Sequence, residues 1–368
     1  MKSELDRYHR QMLLPGIGQA GQQKLLDSTV LIVGCGALGT VIANTLGRAG
    51  VGHLVIVDRD FIEVTNLQRQ VLFDESDIEQ GLPKAEAAKQ KLERINSKIR
   101  ITSIVDDVNH ANIERLSGMD NPEYGRVDLL IDGVDNFETR FVINDAAVKL
   151  GIPYVYGGAV GTVGMTYTIL PHTHNKDAPW ECVGRATPCL RCIFEQTPPP
   201  GMNPTCDTAG VLGSTVSIVA SYQSNEAVKV LTSNWESINP TMLSIDTWHN
   251  TINQFKVAAA YDLGQCVCCK KRNFEFLGGQ LSSSTTTLCG RNAVQLTCQG
   301  GGRLNFEEIA GRLKMHGAVK ANRFMLHAEV RDNGQLYELT VFTDGRAIVK
   351  GTKEPNTAKS IYAKYVGN

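Results

Sequence analysis

A strand-like run, Thr29 to Val33, delivers Gly34, Gly36 and Gly39 into a helix-like run from Leu38 to Arg48. A strand that turns through glycines into a helix opens a parallel βαβ unit. The alternation continues downstream through Leu54 to Val57, Lys84 to Ile95, Ile99 to Val105, Val127 to Ile131, Phe137 to Leu150 and Tyr154 to Tyr156. The expected class is therefore α/β, with a doubly wound, Rossmann-like, mostly parallel sheet. From Gly157 to Leu170 the pattern becomes rich in Gly, Val and Thr, which predicts antiparallel strands that extend the sheet. A polar, Pro-rich excursion follows from His172 to Pro204, and then a helix over Ser214 to Leu231.

Each glycine has a separate task. Gly34 allows the tight turn, Gly36 lets the backbone approach a phosphate, and Gly39 lets helix and strand pack closely, with amide N–H groups and the helix dipole facing the anion. Asp58 ends the strand-like run His53 to Val57, at the ~20-residue spacing where an acid binds a ribose hydroxyl. Asp60, Asn66, Arg69, Gln70 and Lys84 come next. A pyrophosphate can be held by amides alone, so the fixed cations Arg69 and Lys84 point to a triphosphate instead. No Gly-x-x-x-x-Gly-Lys-Ser/Thr string occurs. ATP binding without a P-loop is the reading.

With 368 residues, a net charge of −1 and 42% hydrophobic content, the chain has enough for a large core and about two domains. That balance offers no argument for nucleic acid or membrane partners. No apolar stretch approaches the ~20 residues that span a bilayer, and Met1 to Arg10 is too polar for a signal peptide, so a cytoplasmic location is expected. In that compartment the ten cysteines serve metal binding, catalysis or burial more readily than disulfides. Cys189-Leu-Arg-Cys192 and Cys266-Val-Cys268-Cys269 are knuckles that can each offer two thiolates to one tetrahedral Zn²⁺. About 73 residues separate them, too many for a zinc finger, so the fold must bring them together. Cys268 could stand in for a neighbour. A four-thiolate site is closed, hence structural.

In order along the chain, RYHRQ from Arg7, VLIVGCGALG, VDRDFIEVTNLQRQ, GLPKAEAAK, IDGVDNFETR and TCDTAGV resemble the ThiF/MoeB-type adenylyltransferases of the ubiquitin-activating superfamily, over about residues 5 to 270. The resemblance implies ATP, Mg²⁺ and a structural Zn²⁺ held by Cys189, Cys192, Cys266 and Cys269. It implies a homodimer in which Arg10 reaches across the two-fold axis to the phosphates. Asp135 would bind Mg²⁺, with Asp132 as the alternative. Arg69 and Lys84 would contact phosphate, while Gly34, Gly36, Gly39, Asp58, Asp60, Asn66 and Gln70 would complete the nucleotide site. Cys206, in Thr-Cys-Asp-Thr-Ala-Gly, is either a carrier- or sulfur-transfer thiol or a plain loop thiol.

The reaction implied is attack by the C-terminal Gly-Gly carboxylate of a small ubiquitin-like sulfur carrier on the α-phosphorus of Mg·ATP, giving acyl-adenylate and pyrophosphate. A ThiS-like carrier of thiamine-thiazole synthesis is preferred because Leu288 to Gln295 and Phe342 to Thr352 look like the tail of some ThiF-type proteins. A MoaD-like carrier, a peptide, a tRNA base and, more distantly, an NAD-dependent oxidoreductase are the alternatives. A cysteine desulfurase or sulfurtransferase is a further implied partner. Gly157, Gly158 and Gly161 suit a thin carrier tail or equally bends in a strand. The expected domains are 1–272, a linker over 273–287 with small polar residues from Ser282 to Thr287, and a small α+β domain over 288–368.

Overall fold

In the computed structural model, residues 4–118, 120–173, 177–196, 209–281, 286–288, 292–296, 305–322, 324–332, 334–342 and 345–367 are described. Cys206, Cys289 and Cys298 lie outside them. The chain divides into two compact units, Met1–Pro199 with Gly210–Ser282, and a second that includes Ser283–Asn368.

The first unit is built in the order α1 (Gly18–Asp27), β1 (Thr29–Val33), α2 (Ala37–Ala49), β2 (His53–Val57), α3 (Lys84–Ile95), β3 (Arg100–Ile104), β4 (Leu129–Asp132), α4 (Phe137–Leu150), β5 (Tyr154–Val160), β6 (Val163–Ile169), α5 (Gly213–Leu231), β7 (Thr241–Asp246) and β8 (Thr251–Lys256). These strands form one sheet in the order β3-β2-β1-β4-β5-β6-β7-β8. Pairing is parallel from β3 to β5 and antiparallel from β5 to β8. Along β1 the apolar side chains serve both faces. Val30 and Ile32 pack with Leu38, Ile42 and Leu46 of α2, whereas Leu31 and Val33 pack with Phe141 and Ile143 of α4. Such two-sided burial is why parallel strands read as unbroken apolar runs.

Register decides where a ligand can enter. Val33 pairs with Val57 on one side and with Asp132 on the other, so Gly34, Asp58 and Gly133 emerge in one row at the carboxyl edge. The strand order reverses at β1, and open α/β sheets bind ligands in the crevice at that point. Helix α2 starts after Gly36 and stops at Gly50 in the left-handed conformation, φ 86°. Asn136 caps α4 by accepting a hydrogen bond from Thr139 N at 2.9 Å.

Strand β5 runs on to Val160 through Gly157 and Gly158 where the sequence suggested an end at Tyr156, and the chain reverses at Gly161 instead. A Cβ on Gly157 would meet the Gln223 side chain of α5 at 2.2 Å, so close helix–sheet packing requires this glycine. Strands β7 and β8 were not foreseen: β8 is exposed throughout and lacks the apolar face that betrays a strand. Phe276 and Leu277 are buried in the first unit, and their amides donate to Asp145 Oδ2 at 3.0 and 3.3 Å, because α4 offers a buried carboxylate there.

The second unit contains β9 (Thr286–Leu288), β10 (Ala293–Leu296), α6 (Phe306–Leu313), β11 (Val319–Ala321), β12 (Met325–Asp332), β13 (Gln335–Phe342), β14 (Ala347–Lys350) and α7 (Pro355–Tyr365). Its antiparallel sheet has the order β11-β12-β13-β14-β10-β9. Alternate residues Leu326, Ala328 and Val330 join Ile309, Leu313, Ile361 and Tyr362 in one core. Among the described residues, no helix is long and apolar enough to cross a membrane.

One buried histidine makes stability depend on pH. His53 is 7% exposed, shares a 2.9 Å hydrogen bond with Thr102 Oγ1 and meets Tyr124 edge-on. Burial, aided by Arg100, lowers its pKa to about 4. Unfolded, it titrates near 6.5. Its contribution is thus intact above pH ~6.5 and lost as the pH falls toward 4, where only the unfolded chain gains the proton. The unfolding midpoint should drop by about 5 °C between pH 7 and 4.5 from this group. Thermal melts of His53→Gln across that range should show a shallower decline; an identical slope would show that His53 is not responsible.

Candidate active site and cysteine centre

At the carboxyl edge of β1, three glycines interlock. A Cβ on Gly39 would lie 2.0 Å from Gly34 O, one on Gly133 2.4 Å from the same oxygen, and one on Gly34 2.7 Å from Gly133 O. Gly133 was not singled out from the sequence, since its constraint comes from Gly34, distant along the chain. Gly36 differs, because among the described residues a Cβ there would meet only Gln70 Nε2, at 3.9 Å. Its missing side chain leaves open space in front of the α2 N-terminus, as an anion cradle requires.

Asp58 secures this turn: Oδ2 accepts Cys35 N at 2.6 Å and Oδ1 accepts Asp60 N at 2.7 Å. Burial pushes its pKa up, against the pull of the Lys84 ammonium. Each carboxylate oxygen has two lone pairs, so a ribose hydroxyl can still be bound. Lys84 is 3% exposed and pairs with Asp60 at 3.0 Å. Asn66 is buried and accepts Glu63 N at 3.0 Å, which shapes the turn that presents Arg69. The Arg69 guanidinium donates to Thr65 O at 2.8 Å. Gln70, 3% exposed, has a buried Oε1 without a hydrogen-bond partner among the described residues.

Arg59 was missed as well. It pairs with Asp107 at 3.1 Å and Asp60 at 3.8 Å. Burial works against its charge, but Asp107, Asp60, Asp135 and Asp58 outweigh that and raise its pKa. No local motif signals it, because Asp107 lies in the segment after β3.

The two aspartates at the end of β4 have opposite environments. Asp132 is fully buried and accepts Val134 N at 2.9 Å, Arg140 Nε at 3.1 Å and the Tyr154 hydroxyl at 2.9 Å. Burial raises its pKa and Arg140 opposes the rise. Asp135 is exposed and makes no hydrogen bond among the described residues, which leaves its carboxylate available to a cation. Arg10 is not brought into this crevice by its own chain. The adjacent Gln11 donates to Ala49 O at 3.0 Å, at the far end of α2 from Gly36. That helix, of 13 residues, is about 20 Å long.

Downstream of Cys206, the chain is tied to the site. Gly161 N donates to Gly210 O at 2.8 Å and Leu212 N to Gly161 O at 2.9 Å. A Cβ on Gly213 would lie 2.9 Å from Gln68 O, next to Arg69.

The two knuckles meet beside α4. The sulfurs of Cys189, Cys192, Cys266 and Cys269 all lie within 4.8 Å of one another, and the group can hold a metal ion. Cys268, fully buried, instead accepts a hydrogen bond from Asn144 Nδ2 at 3.4 Å. Asn144 Oδ1 also accepts Leu190 N at 2.7 Å, so one buried amide on α4 touches both knuckles. Arg191 pairs with Glu275 at 3.1 Å and packs over the rings of Phe141 and Phe276. Partners outside the ligand sphere fix ligand orientation in this way.

The family model described as ThiF family matches residues 8–268. The sulfur carrier protein ThiS adenylyltransferase of Bacillus subtilis is 39% identical over 362 residues, which cover 98% of this chain and 99% of that protein. The sulfur carrier protein adenylyltransferase of Thermus thermophilus is 41% identical over 231 residues, 62% of this chain and 79% of the relative. The crystal structure of E. coli MccB with succinimide superimposes with a TM-score of 0.57 at 21% identity, covering 73% of this chain and 74% of that one, a likeness of fold.

Proposed function

The chain belongs to the ThiF family, and from that premise we propose that it uses ATP to adenylate the C-terminal carboxylate of a small ubiquitin-like, ThiS-like sulfur carrier protein ending in Gly-Gly. The observation that carries this reading is the end-to-end similarity to the Bacillus adenylyltransferase, which extends through the second unit. The crevice supports the same chemistry. A carboxylate is already ionised at neutral pH, so the carrier needs no general base. Its oxygen bonds to the α-phosphorus, the bond from that phosphorus to the bridging oxygen breaks, and pyrophosphate leaves with the electron pair.

Catalysis is then positioning and charge neutralisation. The α2 N-terminus and Gly36 cradle phosphate, Asp58 holds the ribose, and Asp60, Asn66 and Gln70 shape the pocket around Lys84 and Arg69. Asp135 would hold the Mg²⁺ that neutralises phosphate charge. Arg10, distant from its own crevice, enters that of a two-fold-related partner, which makes the active protein a homodimer. Cys206 is assigned to transfer after adenylation, and the described residues that follow it, Gly210 to Gly213, lie against Gly161 and Gln68. We assign structural zinc to Cys189, Cys192, Cys266 and Cys269. Zn–S bonds of about 2.3 Å put tetrahedral sulfurs about 3.8 Å apart, and the separations here include 3.8, 3.6 and 3.3 Å. The cytoplasm is the matching compartment, since it keeps thiols reduced. We treat 288–368 as a separate domain.

ATP–pyrophosphate exchange with Mg²⁺ tests the assignment, using a ThiS-like carrier, a MoaD-like carrier and each without its terminal glycine. Exchange is expected with the intact ThiS-like carrier and should fall at least ~100-fold with the truncated one. Preference for the MoaD-like carrier would move the enzyme to the molybdopterin branch. No exchange from folded, metal-loaded protein would overturn the sulfur-carrier reading and direct attention to peptide or tRNA substrates.

A further inference from the structure

Strands β4 and β5 pair only at Leu130 with Tyr154 and Ile131 with Val155. Beyond that rung, β4 turns away toward Asp135 while β5 continues through Gly157. The gap opens at the carboxyl edge, and no backbone ladder sets its width. Side chains span it instead, those of Arg140, Tyr154 and Gln223 among them. Arg140, one turn into α4 and 7% exposed, donates from Nε to Asp132 Oδ2 at 3.1 Å, and from Nη2 to Val134 O at 2.8 Å and Gly157 O at 3.1 Å. Its guanidinium lies over the rings of Phe137 and Tyr156, each 5.3 Å away. Asp132 is fixed in turn by Val134 N and the Tyr154 hydroxyl, both at 2.9 Å. From α5, Gln223 Nε2 donates to Asp132 O at 2.8 Å.

A buried guanidinium is a costly way to join two strands, because an apolar residue of similar volume often serves stability as well or better. What an apolar residue lacks is a planar fork of donors that fixes three acceptors on different segments at set distances and angles. The segments held are the end of β4, the turn that leads to Asp135, and the glycine stretch of β5 next to the Gly161 turn. We infer that Arg140, locked by Asp132 and Tyr154, is a positioning residue for adenylation: it sets the spacing between the Asp135 turn and β5, and so the line of approach of the carrier carboxylate to the α-phosphorus. This inference rests on the adenylation reading above. Displacements of about 1 Å at such a junction can cost ~100-fold in rate, while ligand contacts elsewhere in the crevice remain.

The test compares Arg140→Lys, which keeps the charge and loses the fork, with Tyr154→Phe, which keeps the volume and removes one donor from Asp132. Titration calorimetry would give ATP binding with and without Mg²⁺ and carrier binding. Rapid-quench single turnovers would give the rate of acyl-adenylate formation, well below each variant's melting temperature. Arg140→Lys is expected to slow adenylation about 100-fold and Tyr154→Phe about 10-fold, with both dissociation constants within about threefold of wild type. A loss of stability alone leaves the turnover rate of the folded protein unchanged and would overturn the proposal. So would a rate loss matched by an equal loss of ATP binding, which marks direct contact with the nucleotide. If Arg140→Lys does not fold, Tyr154→Phe decides. Absence of adenylation by the wild type with every carrier would instead refute the underlying reading.

Discussion

Arg10→Ala and Asp135→Ala proteins are each expected to lose roughly 10³-fold of carrier-dependent pyrophosphate exchange, and their equimolar mixture is expected to regain about a quarter of the wild-type rate. The first loss would follow from the proposed dimer, in which Arg10 supplies a cation to the phosphates from outside the local fold, the role of an arginine finger. The second would follow from removing the carboxylate just beyond β4 that makes no hydrogen bond among the described residues and is proposed to hold Mg²⁺. Recovery is a matter of symmetry. In the proposed two-fold dimer each crevice would take Asp135 from one chain and Arg10 from the other. Random re-pairing makes about half the dimers mixed, and each of those has one crevice with both residues intact. Exchange assays after dilution and re-association would measure this. If the mixture stays inactive while both variants dimerise and bind carrier, Arg10 does not act across the interface.

The second large effect concerns the cysteine centre. Cys266→Ala and Cys269→Ala should each abolish stoichiometric zinc and lower the unfolding temperature by ~10 °C or more, because ligand-set free energy becomes folding free energy when the site is absent from the unfolded chain. Cys268→Ala should keep the metal and lose only the modest contribution of a buried thiol packed on Asn144. Elemental analysis with calorimetry would separate the cases. Loss of zinc from Cys268→Ala would mean that the ligand set is wrong, with Cys268 in place of Cys266 or Cys269.

The parts of the molecule legible from sequence are those whose geometry is enforced locally. Gly34, Gly36 and Gly39 announce a turn between adjacent elements, and Asp58 falls at the end of an apolar run. The knuckles were legible as pairs because ligand spacing is local, but the choice between Cys268 and its neighbours depended on Asn144, far away in the chain. Gly133, Arg59 and Arg140 lie within the IDGVDNFETR and VDRDFIEVTNLQRQ strings, yet their roles do not show there. Gly133 packs on Gly34, Arg59 pairs with Asp107, and Arg140 reaches Gly157 as well as the nearby Asp132 and Val134. Strand β8 escaped because an exposed edge strand, with Ile252 at 59% and Phe255 at 50% exposure, carries no buried stripe to read. Asp132 and Asp135 have the same side chain, so only burial and hydrogen bonding separate them.

The alignment of Gly34, Asp58 and Gly133 in one row has a consequence for how the enzyme comes into being. That row is contributed by three strands whose pairings join distant parts of the chain, and long-range parallel pairing is slow to form. The crevice is complete only when β4 has docked beside β1 and brought Gly133 against Gly34. Nucleotide that binds the completed crevice more tightly than the unfolded chain draws the folding equilibrium forward by mass action.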